Sequence, residues 1–136
     1  MRAEIIFGVH EGYDRDNNTK VNISDVVKQL HPLILKNRKI NMYYISGIVS
    51  ECVAIYKEED GCPEDGETVF KFTTVWNPAK NTCMHLWTKA VESLAKLIKE
   101  EFNQTTITLE YIRSDLKYLK DDHDASKGCG DCYEER

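Results

Sequence analysis

"INMYYISGIVSECVAIYKEEDGCPEDGETVFKFTTVW", residues 40–76, is the stretch on which the fold turns. Two extended apolar runs, residues 40–57 and 68–76, flank "EEDGCPEDGE", whose density of Gly, Pro and Asp reverses the chain. Together they predict a long antiparallel hairpin. The first run exceeds the usual strand of about six residues. Gly47 or the Ser50–Glu51 pair is therefore expected to mark a bulge or break in it.

A helical pattern lies on either side of this hairpin. Upstream, Ile23, Val26, Val27, Leu30, Leu33 and Ile34 recur at helical spacing behind Asn22 or Ser24 as N-cap. Pro32 removes a backbone donor, which predicts a kink or restart. Downstream, residues 82–103 carry a seam of Met84, Trp87, Val91, Leu94 and Ile98, while Lys89, Glu92, Lys96 and Lys99 face away. The outermost elements read as strands. Residues 3–10 put Ala3, Ile5, Phe7 and Val9 on one face; residues 105–113 put Ile107, Leu109, Tyr111 and Arg113 on one face.

The order strand, helix, hairpin, helix, strand predicts an α+β fold of ferredoxin-like βαββαβ type. It places two helices on one face of an antiparallel sheet. Residues 1–120 read as a single domain, and residues 121–136 as a polar, Cys-containing tail without apolar periodicity.

The second sheet face sets the expected partner. With Phe70, Phe72 and Trp76 toward the helices, Ile6, Val69, Val75 and Ile112 face away. One of the sets Tyr43/Ile45/Val49 or Met42/Tyr44/Ile48 joins them. Such an apolar face predicts a homodimer packed sheet against sheet. This element order, over residues 3–113, resembles the dimeric α+β barrel superfamily. The resemblance implies a ligand-binding module or a monooxygenase-like enzyme.

Composition narrows the classes. The chain has 136 residues, 41% hydrophobic and 30% charged, which is globular rather than disordered. A net charge of −5 argues against a broad surface for duplex nucleic acid. No run is long enough to cross a bilayer and no cleavage signal follows the amino end, so a cytoplasmic protein without a membrane partner is expected. Five cysteines without a secretion signal argue against a disulfide framework; Cys52 and Cys83 read as buried thiols.

Two segments suggest metals. In "DRDNNTKVNISD", residues 14–25, Asp14, Asp16, Asn18 and Asp25 stand at the first, third, fifth and twelfth places. The pattern resembles the calcium loop of EF-hands and of dockerin modules, which implies those four as calcium ligands, with Lys20 lending its carbonyl and Asn22 acting directly or through water. An Asx-rich turn with an N-cap explains the same residues without any ion and is the leading reading, since Thr19 stands where the calcium pattern has Gly. In the tail, His123 with Cys129 and Cys132 forms part of a zinc grip that Cys62 could complete; a polar terminus with inert thiols is the alternative.

For function, Tyr13, Trp76, Asn77, Tyr111 and Arg113 stand near strand ends and offer stacking faces and a forked cation. They predict a site for a small anionic, nucleotide-like ligand. The leading expectation is a non-enzymatic homo-oligomeric module binding such a ligand or a protein. The alternatives are a metal-dependent interaction module and, from the superfamily resemblance, a haem-handling monooxygenase using Trp76 and His85. Helical geometry turns His85 about 160° from Trp87, toward solvent. No Gly-rich phosphate loop, nucleophile elbow or His-x-Glu zinc motif occurs.

Overall fold

The structure, a computed structural model, describes residues 1–9, 21–78, 83–117 and 119. In chain order it contains β1 (Arg2–Phe7), α1 (Ile23–Asn41), β2 (Ile48–Ala54), a 3-10 turn (Glu58–Asp60), β3 (Glu67–Val75), α2 (Met84–Glu101) and β4 (Thr108–Ile112). The strands form one sheet in the order β2-β3-β1-β4, every pair antiparallel. Two helices cover one face, so the architecture is the α+β, ferredoxin-like one that the sequence predicts.

Alternation builds the covered face. Ala3, Ile5 and Phe7 are buried, and the register sets Ile5 between Phe72 and Leu109. Val26, Leu30 and Leu33 of α1 and Trp87, Val91, Leu94 and Ile98 of α2 close over them as one core. Phe7 lies at the centre of an aromatic cluster, 5.1 Å from the Phe102 ring and 6.4 Å from Phe70.

Helix α1 differs from expectation. It runs unbroken through Pro32 and on to Asn41, ending at Met42 in the left-handed region. Proline costs one bond to the preceding turn, while tertiary contacts hold both sides of it. Beyond the proline, buried Asn37 donates to the Ala90 carbonyl of α2 (3.0 Å), and Asn41 donates to Asn37 Oδ1 (2.7 Å). These bonds keep helical a segment whose apolar residues suggest strand. Strand β2 therefore begins at Ile48, after an extended link from which Ile45 enters the core.

The open face is less apolar than expected. Ile6, Val69, Val75 and Ile112 do face away from the helices, joined by Ile48. Between them lies charge: Glu4 pairs with Lys71 at 3.6 Å and with Arg2 at 3.7 Å, and Glu110 sits beside Glu4 in register. The apolar patch is thus split by a charged stripe. Among the described residues no helix is long and apolar enough to cross a membrane.

Candidate functional site

Two ends of the sheet are hollowed, and they differ in charge. The first cleft, about 360 Å³, opens where β1 ends and β3 begins. That volume lies within the range of small-molecule sites. Ile6, Ala54, Val69 and Thr108 reach it from the open face by strand alternation. One wall is the β2–β3 connection, which contributes Tyr56, Asp60 and Glu67.

Local geometry shapes that wall. The chain leaves β2, makes the 3-10 turn, and reverses at Gly61 (φ 103°) and Gly66 (φ 80°). A Cβ at Gly66 would stand 2.5 Å from Val53 Cγ1 and 3.0 Å from the Ala54 carbonyl, so the turn closes only on glycine. The Tyr56 N–H donates to Cys62 Sγ (3.4 Å), and the Cys62 thiol donates to the Pro63 carbonyl (3.4 Å). The opposite wall is the link from α2 to β4, where Gln104 Nε2 donates to the Phe102 carbonyl (2.9 Å). At Gly8 an added Cβ would stand 2.7 Å from Gln104 Oε1. Glycine there leaves room for the glutamine.

The lining of this cleft carries two carboxylates, two aromatic residues (Phe7 and Tyr56) and several hydroxyls, with no Lys or Arg among them. It suits a ligand with positive charge and hydrogen-bonding groups.

The second cleft, about 580 Å³, lies at the opposite end, where β3 and β4 finish. Trp76, Met84, Arg113 and Asp115 line it, beside the Met1 ammonium, which donates to the Ser114 carbonyl (3.1 Å). Trp76 is 3% exposed, a core wedge more than a stacking platform. Arg113 is exposed.

Of the five residues expected to bind an anion, the four that are described do not converge. Trp76 and Arg113 share the second cleft, and Asn77 lines a neighbouring hollow of about 290 Å³. Tyr111 faces the helices, edge-on to Trp87 at 6.2 Å, with its hydroxyl 3.5 Å from Glu92. Burial first, then the Glu92 charge and hydrogen bond, push its pKa up to about 12. Tyr13 lies outside the described residues.

The metal expectations rest largely on residues that the structure does not describe. Asp14, Asp16, Asn18, His123, Cys129 and Cys132 lie outside the described residues. Asp25 is exposed, and its N–H donates to Asn22 Oδ1 (3.0 Å), which makes Asn22 the N-cap of α1. Ser24 Oγ donates to the same oxygen (2.7 Å). Cys62 serves as a brace inside the hairpin turn. Among the described residues no group of three His, Cys, Asp or Glu is placed to hold a metal. Cys52 and Cys83 are free and half-buried, not buried. His85 is exposed, as helical geometry requires.

A family model described as SAM lyase matches residues 1–120. Two solved structures are similar, both of phage SAM lyase. One, in complex with S-methyl-5'-thioadenosine, is 18% identical over 79% of this chain and 76% of that chain, with a TM-score of 0.50. The other, in the apo state, is 19% identical over 79% of this chain and 75% of that chain, with the same TM-score. At these identities the likeness is one of fold. A search of curated proteins finds no match. The calcium-loop resemblance gains no support from these matches.

The family match overturns the expectation of a non-enzymatic module, and the monooxygenase and metal-dependent alternatives go with it. The physical reason is plain. Motifs of nucleophile, base and metal mark enzymes that must create a reactive group, whereas a sulfonium substrate brings its own leaving group.

Proposed function

Because the chain belongs to the SAM lyase family, we propose that it cleaves S-adenosylmethionine and that the Tyr56–Glu67 cleft is where it does so. The observation that carries the reading is the family match, which spans every residue lining that cleft. Charge decides between the two clefts. S-adenosylmethionine bears a sulfonium, an ammonium and one carboxylate, hence net positive charge. Glu67 and Asp60 attract it at one end with no cation in the described lining beside them, while at the other Arg113 opposes it and offsets Asp115. For unit charges about 4 Å apart near a protein surface that preference is worth up to about 4 kcal/mol before solvent screening.

S-methyl-5'-thioadenosine, held by the phage relative, is S-adenosylmethionine without its four-carbon amino-acid part. The same product here requires cleavage between sulfur and the γ-carbon. The bonding electrons pass to sulfur, and the sulfonium becomes a neutral thioether. The γ-carbon then either bonds to the substrate's own carboxylate, closing a lactone with no proton released, or gains a double bond as the neighbouring carbon loses a proton. Neither route needs water or a redox partner.

In this reading Glu67 and Asp60 hold the ammonium. Tyr56, with Ile6 and Val69 beneath it, surrounds the sulfur with an aromatic and apolar lining. Water stabilises the full sulfonium charge better than such a lining does, so the site favours a transition state in which that charge is being lost. The open face around the cleft is also the surface we propose for self-association, supported by Ile6, Val69, Val75 and Ile112.

The test is product identification. Purified protein incubated with S-adenosylmethionine should release S-methyl-5'-thioadenosine in step with substrate loss, read by chromatography and mass spectrometry. Release of S-adenosylhomocysteine instead would mean methyl transfer and end the reading. The mass of the four-carbon fragment separates lactone from alkene.

A further inference from the structure

We infer that Cys62 is a positioning residue of the cleft, its thiol fixing Tyr56 and so setting the affinity for substrate; this rests on the reading of that cleft as the S-adenosylmethionine site. The β2–β3 ladder ends at the pair Ala54 and Glu67. Glu67 is therefore held by the sheet, but Tyr56 lies two residues beyond the last pair on its strand.

Within the turn, backbone bonds already join the limbs once, where the Cys62 N–H donates to the Lys57 carbonyl (3.4 Å). Gly61 N–H donates to the Glu58 carbonyl (2.9 Å), and Gly66 N–H donates to the Pro63 carbonyl (2.9 Å). The thiol adds a second tie beside the one to Lys57, at Tyr56. It accepts from the Tyr56 N–H six residues back and donates to the carbonyl of the next residue, Pro63, each at 3.4 Å. A thiol is a weak donor and a weak acceptor, yet here it uses both capacities at once. The cysteine that sequence spacing suggests as a zinc ligand thus braces the connection that carries Tyr56, without itself lining the cleft.

The brace acts on where Tyr56 sits before substrate arrives and throughout the reaction. Loss of such uniform binding raises KM and leaves kcat nearly unchanged. The experiment compares wild type, Cys62→Ala and Cys62→Ser by native-state amide exchange and by steady-state kinetics with S-adenosylmethionine. In Cys62→Ala the Tyr56 amide should exchange about tenfold faster, the loss of roughly one hydrogen bond, while the β2–β3 ladder amides keep wild-type rates. KM should rise about tenfold with kcat within about twofold. Cys62→Ser keeps a donor and an acceptor on a shorter bond, so it should fall between the two in both readouts.

Unchanged Tyr56 exchange overturns the inference. So does a KM that stays put in an active enzyme, or faster exchange throughout the ladder, which would make the thiol a general structural support. If Cys62→Ala does not fold, Cys62→Ser decides by the same two readouts: a wild-type KM with faster Tyr56 exchange rejects the link between position and affinity. A wild-type protein that leaves S-adenosylmethionine intact would overturn the reading of the site instead, and the exchange arm would still show whether the thiol places Tyr56.

Discussion

Glu67 and Tyr56 show how charge sign and strand position together select a site. Glu67 closes the segment whose Gly, Pro and Asp content reads as a turn and Tyr56 stands near the end of the extended run before it, which is why residue patterns pointed elsewhere. Trp76 and Arg113 attract notice because stacking and forked cations are recognisable chemistry. Whether a ligand is anion or cation is not written in a stacking residue. The signal that was available is a pair of acidic residues and a tyrosine bracketing one glycine-rich reversal. Glu67→Gln should raise KM for S-adenosylmethionine about tenfold, because a single charge-assisted contact is worth roughly 1.5–3 kcal/mol and is partly solvated here. Thermal unfolding should barely move, as for most substitutions away from the core. Tyr111 yields a pH prediction of definite sign. Its pKa is pushed from 10.0 up to about 12 in the folded state, so its contribution to stability is complete below pH 10.0 and fades as pH rises toward about 12. Tyr111→Phe should flatten alkaline destabilisation in that window, as measured by urea unfolding across pH.

At the scale of elements, alternation and helical spacing were legible because each sheet and helix has a face to bury. The faces assigned to β1, β3 and β4 agree with the observed register. The boundary between α1 and β2 was not legible. Residues 40–47 are apolar in a pattern that fits the end of a helix or the start of a strand, and short apolar runs do not discriminate. What decides is tertiary: the Asn37 bond to the Ala90 carbonyl and the Asn41 bond to Asn37. Asn37→Leu should therefore destabilise by about 1–3 kcal/mol, leaving the Ala90 carbonyl without that donor in a buried place, and chemical denaturation measures it. Gly66→Ala should cost a similar amount, about 1–3 kcal/mol, through positive φ and collision with Val53. It should also lower affinity for substrate, since Gly66 directly precedes Glu67. An unchanged unfolding midpoint for Gly66→Ala would contradict the account of the turn.

For the whole molecule, the ferredoxin-like arrangement followed from element order, but element order pointed to a superfamily and not to an activity. The family match supplies the activity class, and the two sheet ends supply the choice of site. The open face, divided by the Glu4–Lys71 pair, was expected to be continuously apolar; self-association there should show as a sedimenting species above monomer mass that weakens in Ile6→Glu. The most direct measurement is the rate of S-methyl-5'-thioadenosine release from S-adenosylmethionine by wild type, Glu67→Gln and Arg113→Ala under one condition below KM. Rates should fall about tenfold in Glu67→Gln and stay within about twofold of wild type in Arg113→Ala. A loss confined to Arg113→Ala would place the chemistry at the other end of the sheet, and unconverted S-adenosylmethionine in all three would contradict the activity itself.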